Sequence, residues 1–259
     1  MFNIKYCQTF ADFFTEDVML IYERQKNIVD FLKEKNSATV KQISKALFIS
    51  EATVRRDVEK LQQAGYVERF YGGVTLADFS GGVLPLARRE NENSAGKEKI
   101  AQQAAKLVHD GDTVFIDSSS TAGKVLLHIK NRRVTVITNS SVLPEDAGSM
   151  RIYCTGGEYS EKRRCFFGSF AEEFIKNVHA DIMFFSCKGI STDGEITDAS
   201  EDEIALRKCM MKNSKKKVFL FDGTKFRITS TFRLCSKDDV DEFISDIDFS
   251  FDGENTSDM

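Results

Sequence analysis

The sequence predicts an α/β protein in two parts, and three observations carry that prediction. Three helical patterns and a short alternating pair of strands crowd residues 22–74, a stretch rich in Gly, Ser and Asn occupies 75–96, and five apolar runs alternate with helical patterns from residue 97 onward. Strands that alternate with helices imply a doubly wound, mostly parallel sheet, so residues 97–259 are expected to form an α/β domain.

The elements of the first part can be justified in order. Between Glu23 and Lys35, Ile28, Val29, Phe31 and Leu32 fall at helical spacing. Thr39-Val40-Lys41-Gln42 is a capping-box pattern that opens a short helix with Val40, Ile43 and Leu47 on one face. Ile49 turns the chain, Ser50 can cap a third helix, SEATVRRDVEKLQQAG, and Gly65 ends it. At 100° per residue, Val54, Val58 and Leu61 of that helix cluster on the buried side. Arg56 and Gln63 point away, flanked by Thr53 and Lys60 on one side and Arg55 and Glu59 on the other. The segment YVERFYGGV then alternates and is expected to turn at Gly72-Gly73, as a two-stranded wing would.

This is a winged helix-turn-helix pattern. Its third helix offers Ser50, Thr53, Arg55 and Arg56 in the N-terminal turns, with small Ala52 letting it sit deep in a groove. Arginine makes bidentate contacts to guanine, and hydroxyls reach phosphates or base edges, so double-stranded DNA is the expected partner. Charge points the same way, with ten Lys/Arg against seven Asp/Glu in residues 22–74 of a chain whose net charge is −4.

Composition excludes other classes. Six cysteines without a C-x-x-C pair and three histidines suggest neither a zinc site nor a disulfide framework, and no metal or cofactor is expected. No apolar run approaches the ~20 residues that cross a bilayer. The N-terminal MFNIKYCQTFADFFTEDV carries acids where a signal peptide carries bases, so a cytoplasmic protein without a membrane partner is expected.

Residues 75–96, TLADFSGGVLPLARRENENSAG, read as a linker. The second domain is expected to open with a helix over 97–110 and the turn Asp110-Gly111-Asp112. Strands follow at 113–117, 134–138, 151–155, 181–186 and 217–222, with helical patterns in TAGKVLLHI, FAEEFIKNV and SEDEIALRKCMMKN. Ligands of such sheets bind beyond the carboxyl ends of the strands. The residues there are Asp117 with Ser118, Ser119, Ser120 and Thr121; Thr138, Asn139 and Ser140; Gly156 and Gly157; Ser186-Cys187-Lys188-Gly189; and Asp222-Gly223-Thr224-Lys225. Hydroxyls and backbone N–H groups that lead into a helix converge on an anion, and Lys188 and Lys225 complete the charge match.

The run from Glu23 to Val74 resembles the winged helix-turn-helix of DeoR-type bacterial transcription regulators, in its S-E-A-T-V-R-R-D and in the Gly72-Gly73 pair. Tyr71 stands where the family usually has His and can still donate to a phosphate. The resemblance extends to about residue 246. It implies a sensor domain similar in fold to ribose-5-phosphate isomerase, with a phosphorylated sugar as effector and repression relieved by that inducer. On it, D-S-S-S-T of 117–121, T-N-S of 138–140, the Gly156-Gly157 pair, D-G-E-I-T of 193–197, Glu203 and D-G-T-K-F of 222–226 match the family's positions. Ser119 replaces a common Gly, and Ser141 to Met150, with Pro144, is short for the usual helix. Residues 1–21 read as an extension outside the core fold. Phe10, Phe13, Phe14 and Val18 are roughly helically spaced there, while a start at Met19 would look complete by itself.

Two function classes compete on this reading. One is a homo-oligomeric regulator, since paired winged helices give the contact length a specific operator needs. The alternative is a sugar-phosphate isomerase with an added DNA-binding domain, which requires a general base. The resemblance looks for paired acids in the strand before Lys188-Gly189. Asp181 is followed there by Ile182-Met183-Phe184-Phe185, so the second acid is missing and sensing is favoured over catalysis.

Overall fold

The computed structural model describes residues 21–77 and 86–252. The expected extension, residue 21 apart, and residues 78–85 of the expected linker lie outside them. The chain divides between residues 79 and 80 into two compact units. Among the described residues no helix is long and apolar enough to cross a membrane.

In the first unit, helix α1 covers residues 21–35 and is followed by β1 (Ser37–Ala38), α2 (Val40–Leu47), α3 (Glu51–Gln63), β2 (Val67–Phe70) and β3 (Gly73–Leu76). The capping box forms as its spacing requires: Thr39 Oγ1 accepts from the Gln42 N–H at 3.1 Å and the Gln42 side chain accepts from the Thr39 N–H at 2.8 Å. Ser50 Oγ likewise accepts from the Thr53 N–H at 3.1 Å and fixes the start of α3. Ile28, Leu32, Ile43, Val54, Val58 and Leu61 close the core against Val67 and Val74 of the wing. The wing's turn falls on Tyr71-Gly72, one residue earlier than expected, and Gly73 already pairs with Phe70 in the return strand. Gly72 accounts for this, because φ +100° is open only to glycine at low cost. The two-residue β1 adds a third strand on β3 that is too short to show any periodicity.

The second unit is a six-stranded, wholly parallel sheet in the order β14-β12-β9-β4-β5-β6. Its strands are β4 (Thr113–Ile116), β5 (Thr135–Thr138), β6 (Arg151–Cys154), β9 (Ala180–Phe185), β12 (Ser214–Phe221) and β14 (Glu242–Ser245). Alternate residues feed opposite cores, as the two-residue period of a strand dictates. Val114, Ile116, Ile182, Phe184, Val218 and Leu220 pack on α5 (Ser94–Ala104) and α6 (Val125–Ile129). Phe115, Met183, Phe185, Phe219 and Phe221 face α7 (Ser169–Lys176) and α8 (Glu201–Lys212).

Two expectations are corrected here. The helix foreseen over 97–110 starts at Ser94, passes into a 3-10 turn at Ala105–Leu107 and stops there, because Val108 is extended and the His109 N–H donates to Asp112 Oδ2 instead of to a helical carbonyl. Residues 86–91 of the expected linker form helix α4, tied at its start by the Leu86 N–H on the Lys162 carbonyl. The hairpin β7 (Glu158–Ser160) and β8 (Cys165–Phe167) and the antiparallel sheet β10 (Gly189–Ile190), β11 (Glu195–Asp198) and β13 (Phe232–Ser236) are additions that no periodicity announced.

Candidate functional site

On the first unit, α3 presents a polar outer face. Arg55, Arg56 and Lys60 are exposed and Thr53 is half-buried. Ser50 is partly occupied by its cap, with Oγ also 2.9 Å from Thr53 Oγ1. Arg55 Nη2 donates to Glu51 Oε2 one turn back at 3.0 Å, whereas Arg56 enters none of the ion pairs formed by the described residues of this unit. Tyr71 is fully exposed at the tip of the wing. At Gly73 the packing is close, since a Cβ there would stand 2.7 Å from Phe70 Cζ and 3.1 Å from the Ala38 carbonyl oxygen. Asp57, the last residue of S-E-A-T-V-R-R-D, turns inward. It is 1% exposed and takes a two-pronged ion pair from Arg24 of α1, with Nη2 on Oδ1 at 3.0 Å and Nε on Oδ2.

In the second unit the parallel strands bring their carboxyl ends to one edge, and a cleft of about 180 Å³ opens beside them. Of the expected effector residues, Ser119, Ser120, Lys188, Glu203 and Lys225 line it. Lys225 Nζ donates to Ser186 Oγ at 2.7 Å, and Asp222 Oδ1 accepts from the Thr224 N–H at 3.1 Å, which fixes the loop carrying Lys225. Ser118, Ser119, Ser120 and Ser140 border a second, more apolar cleft of about 220 Å³ on the other side of the same loop.

The remaining expected residues shape the walls. Asp117 directs its oxygens inward, one to the Ser119 N–H at 3.0 Å and the other to Arg207 Nε at 2.7 Å. Ser119 has no positive φ, so its loop requires no glycine. Thr121 is wholly buried, and its hydroxyl has no partner among the described residues. Thr138 Oγ1 accepts from the Ser140 N–H at 3.0 Å, and Asn139 Nδ2 donates to the Phe166 carbonyl at 3.0 Å. Gly156 and Gly157 line neither cleft. Gly157, at φ +107°, lets the chain pass 2.5 Å from the Phe167 carbonyl oxygen where a Cβ would stand.

Three residues of the cleft were not foreseen. Arg207 of α8 is 3% exposed and bridges Asp117, Asp198 and Glu203, at 2.7, 2.8 and 3.4 Å. Lys97 of α5 is 2% exposed and donates to the Glu92 carbonyl at 2.6 Å and to the Arg89 carbonyl, with Asp222 Oδ2 4.0 Å away. Arg89 of α4 lines the cleft with Nε and Nη2 buried and without a partner among the described residues. The signal was a charge on an apolar helix face. Lys97 shares its face with Ile100, Ala101 and Ala104, and Glu203 and Arg207 share theirs with Leu206 and Met210.

Burial pushes the Lys97 ammonium down to about 8, reinforced by neighbouring Lys225 and opposed by Asp222. Burial lowers Lys225 too, against the pull of Asp222. Such shifts mark cations crowded in a site that an anion would relieve. The carboxylates are mostly engaged: Asp198 and Glu203 Oε2 by Arg207, Asp222 by its own loop. Glu203 Oε1 is buried without a partner among the described residues.

The position of Asp181 corrects the argument made for its missing neighbour. Asp181 lies at the amino end of β9, where it accepts from the Thr113 N–H at 2.9 Å and from Lys215 at 2.7 Å. The strand's carboxyl end meets the cleft through Ser186, Cys187 and Lys188, none of them an acid.

Comparison with known proteins follows the same division. The family model of a DeoR-like helix-turn-helix domain matches residues 24–79, and that of a DeoR C-terminal sensor domain matches residues 92–247. The HTH-type transcriptional repressor GlcR of Bacillus subtilis (strain 168) is 34% identical over 227 residues, covering 86% of this chain and 88% of that one. The lactose phosphotransferase system repressor of Lactococcus lactis subsp. lactis is 33% identical over 211 residues, 78% of this chain and 82% of its own. Among solved structures, ribose 5-phosphate isomerase A of Methanocaldococcus jannaschii is similar over 52% of this chain and 55% of its own, at 20% identity and a TM-score of 0.37.

Proposed function

Because the chain belongs to the DeoR family of helix-turn-helix transcription regulators, we propose that it represses genes of carbohydrate metabolism and that a phosphorylated sugar in the sensor cleft releases it from its operator. The observation that carries the effector reading is that Lys97, Lys225 and Arg89 all line the cleft close enough to depress the Lys97 ammonium together, with two Arg89 nitrogens left without partners among the described residues. A phosphate group supplies acceptors for all three. Beside them Glu203 Oε1 offers an acceptor to a sugar hydroxyl. Repression as the sign of regulation rests on the two relatives just named.

The mechanism is linkage. The effector shifts the balance between DNA-competent and DNA-incompetent arrangements only by the difference in its affinity for the two. A homo-oligomer, which joins two recognition helices on one operator, suits this role. Operator DNA as partner implies a cytoplasmic protein.

Three measurements test the reading. A thermal-shift screen against phosphorylated sugars should find a ligand that also releases operator DNA, and the Lys225→Gln variant should bind operator normally yet ignore that ligand. An equal response in the variant would move the site elsewhere. Arg56→Ala should lose ~1–3 kcal/mol of base-specific affinity without a change in thermal stability, because the guanidinium makes no ion pair among the described residues of the unit; unchanged operator binding would remove it from the recognition surface.

The third is pH dependence. Lys97 is charged below its value of about 8 and loses that charge above it, while a bound phosphate group would hold the proton on. Effector affinity should therefore fall about tenfold between pH 7 and 9. Lys97→Gln should flatten that fall, and a wild-type affinity independent of pH would exclude Lys97 from the site.

A further inference from the structure

Phe48, in the turn between α2 and α3, has φ 55° and ψ 38°. This is the left-handed region, which a bulky side chain enters only against a steric penalty. The residue is nevertheless 94% exposed. The turn itself does not require the ring. It is held by the Phe48 and Ile49 N–H groups on the Ser44 carbonyl and by Ser44 Oγ on the Ile49 carbonyl at 2.6 Å, bonds that Gly or Asn would allow at lower cost. Among the described residues of the unit, neither the strain nor the exposure is offset. Strain that persists at an exposed turn points to a role outside the fold.

The neighbours indicate which role. Phe48 walls a shallow groove with Gln42, Lys45 and Lys35, all exposed. The ion pairs among the described residues of the unit, Arg24–Asp57, Lys33–Asp30 and Arg55–Glu51, leave both Lys35 and Lys45 out. An apolar ring beside uncompensated ammonium groups suits a DNA strand, which offers phosphates to the cations and an apolar sugar or thymine methyl edge to the ring. Two residues further on, Ser50 opens α3. In helix-turn-helix docking the first turn of that helix reaches base edges while the preceding helix crosses the backbone.

We propose that Phe48 is an apolar operator contact, packed on the DNA edge beside the first bases that α3 reads, with Lys45 and Lys35 on the flanking phosphates. The proposal rests on α3 being the recognition helix. It predicts an unusual pairing of effects, because the residue that strains the turn is the one the DNA uses.

The test uses full-length protein and a duplex selected from a random pool by binding to it. Phe48→Asn, which tolerates the left-handed region, should raise the melting temperature and yet weaken duplex binding about fivefold or more. The slope of log affinity against log salt should stay unchanged, whereas Lys45→Ala should lower it by about one. Arg56→Ala is measured in parallel. If Arg56→Ala weakens binding and Phe48→Asn binds as wild type, the Phe48 contact is overturned and the recognition helix stands. If neither variant weakens binding, the recognition-helix reading fails first. Wild-type duplex affinity in Phe48→Asn together with lost repression in a reporter strain would overturn the DNA contact in favour of a protein partner.

Discussion

Replacing Arg207 with Met will cost the second unit about 3–5 kcal/mol, the range found when one partner is taken from a buried ion pair. The guanidinium is 3% exposed and serves three carboxylates, Asp117 at the end of β4, Asp198 at the end of β11 and Glu203 in the first turn of α8. Met fills similar volume, so the loss reports charge rather than a cavity. Three buried carboxylates would then face one another without a cation, and a loss of this size is a large fraction of a domain's total stability of about 5–15 kcal/mol. Calorimetry should show the second unit melting far earlier while the winged helix keeps its own transition. A loss below about 1 kcal/mol would mean that solvent or Lys225 already neutralises the cluster.

Arg24→Ala is the second large effect, expected at about 2–3 kcal/mol in the first unit because it strands the Asp57 carboxylate at 1% exposure. The lower figure follows from the Arg24 side chain being 27% exposed, which lets water screen the pair. Operator binding should fall with the folded fraction and recover on cooling. That behaviour separates Arg24 from Arg56, whose loss weakens binding at every temperature without changing the melting point. Arg24→Ala combined with Asp57→Ala should cost less than the sum of the two single changes, since the double variant leaves no unpaired charge behind. Full additivity would show that the pair does not hold α1 to α3.

The two ion clusters also mark where sequence reading stopped. The caps at Thr39 and Ser50 were legible because each joins residues three apart, and the bonds formed are those the spacing implies. The strands were legible because Val114, Phe115 and Ile116, and their counterparts in β9 and β12, are continuously apolar, as strands covered on both faces must be. Asp57 reads as one more polar residue of S-E-A-T-V-R-R-D until Arg24, 33 residues away, is seen to reach it. Asp117 reads as a ligand group at a strand end, and its inward turn is decided by Arg207, 90 residues on. Asp181 carried a comparison that its place at the wrong end of β9 does not support. The wing's turn moved by one residue because Gly72 alone supplies the positive φ of the turn, and the pairing of Gly73 with Phe70 leaves Tyr71-Gly72 outside the ladder.

The sequence by itself determined the helix-turn-helix, the parallel sheet and the edge of that sheet at which the cleft opens, because caps, periodicity and strand direction are local properties of a chain. Tertiary structure alone decided which further charges join Lys188, Lys225 and Glu203 at the cleft. Lys97, Arg89 and Arg207 come from helices α5, α4 and α8, and each is left open or spent on a neighbour according to what packing places within about 3 Å of it, the distance at which a hydrogen bond forms.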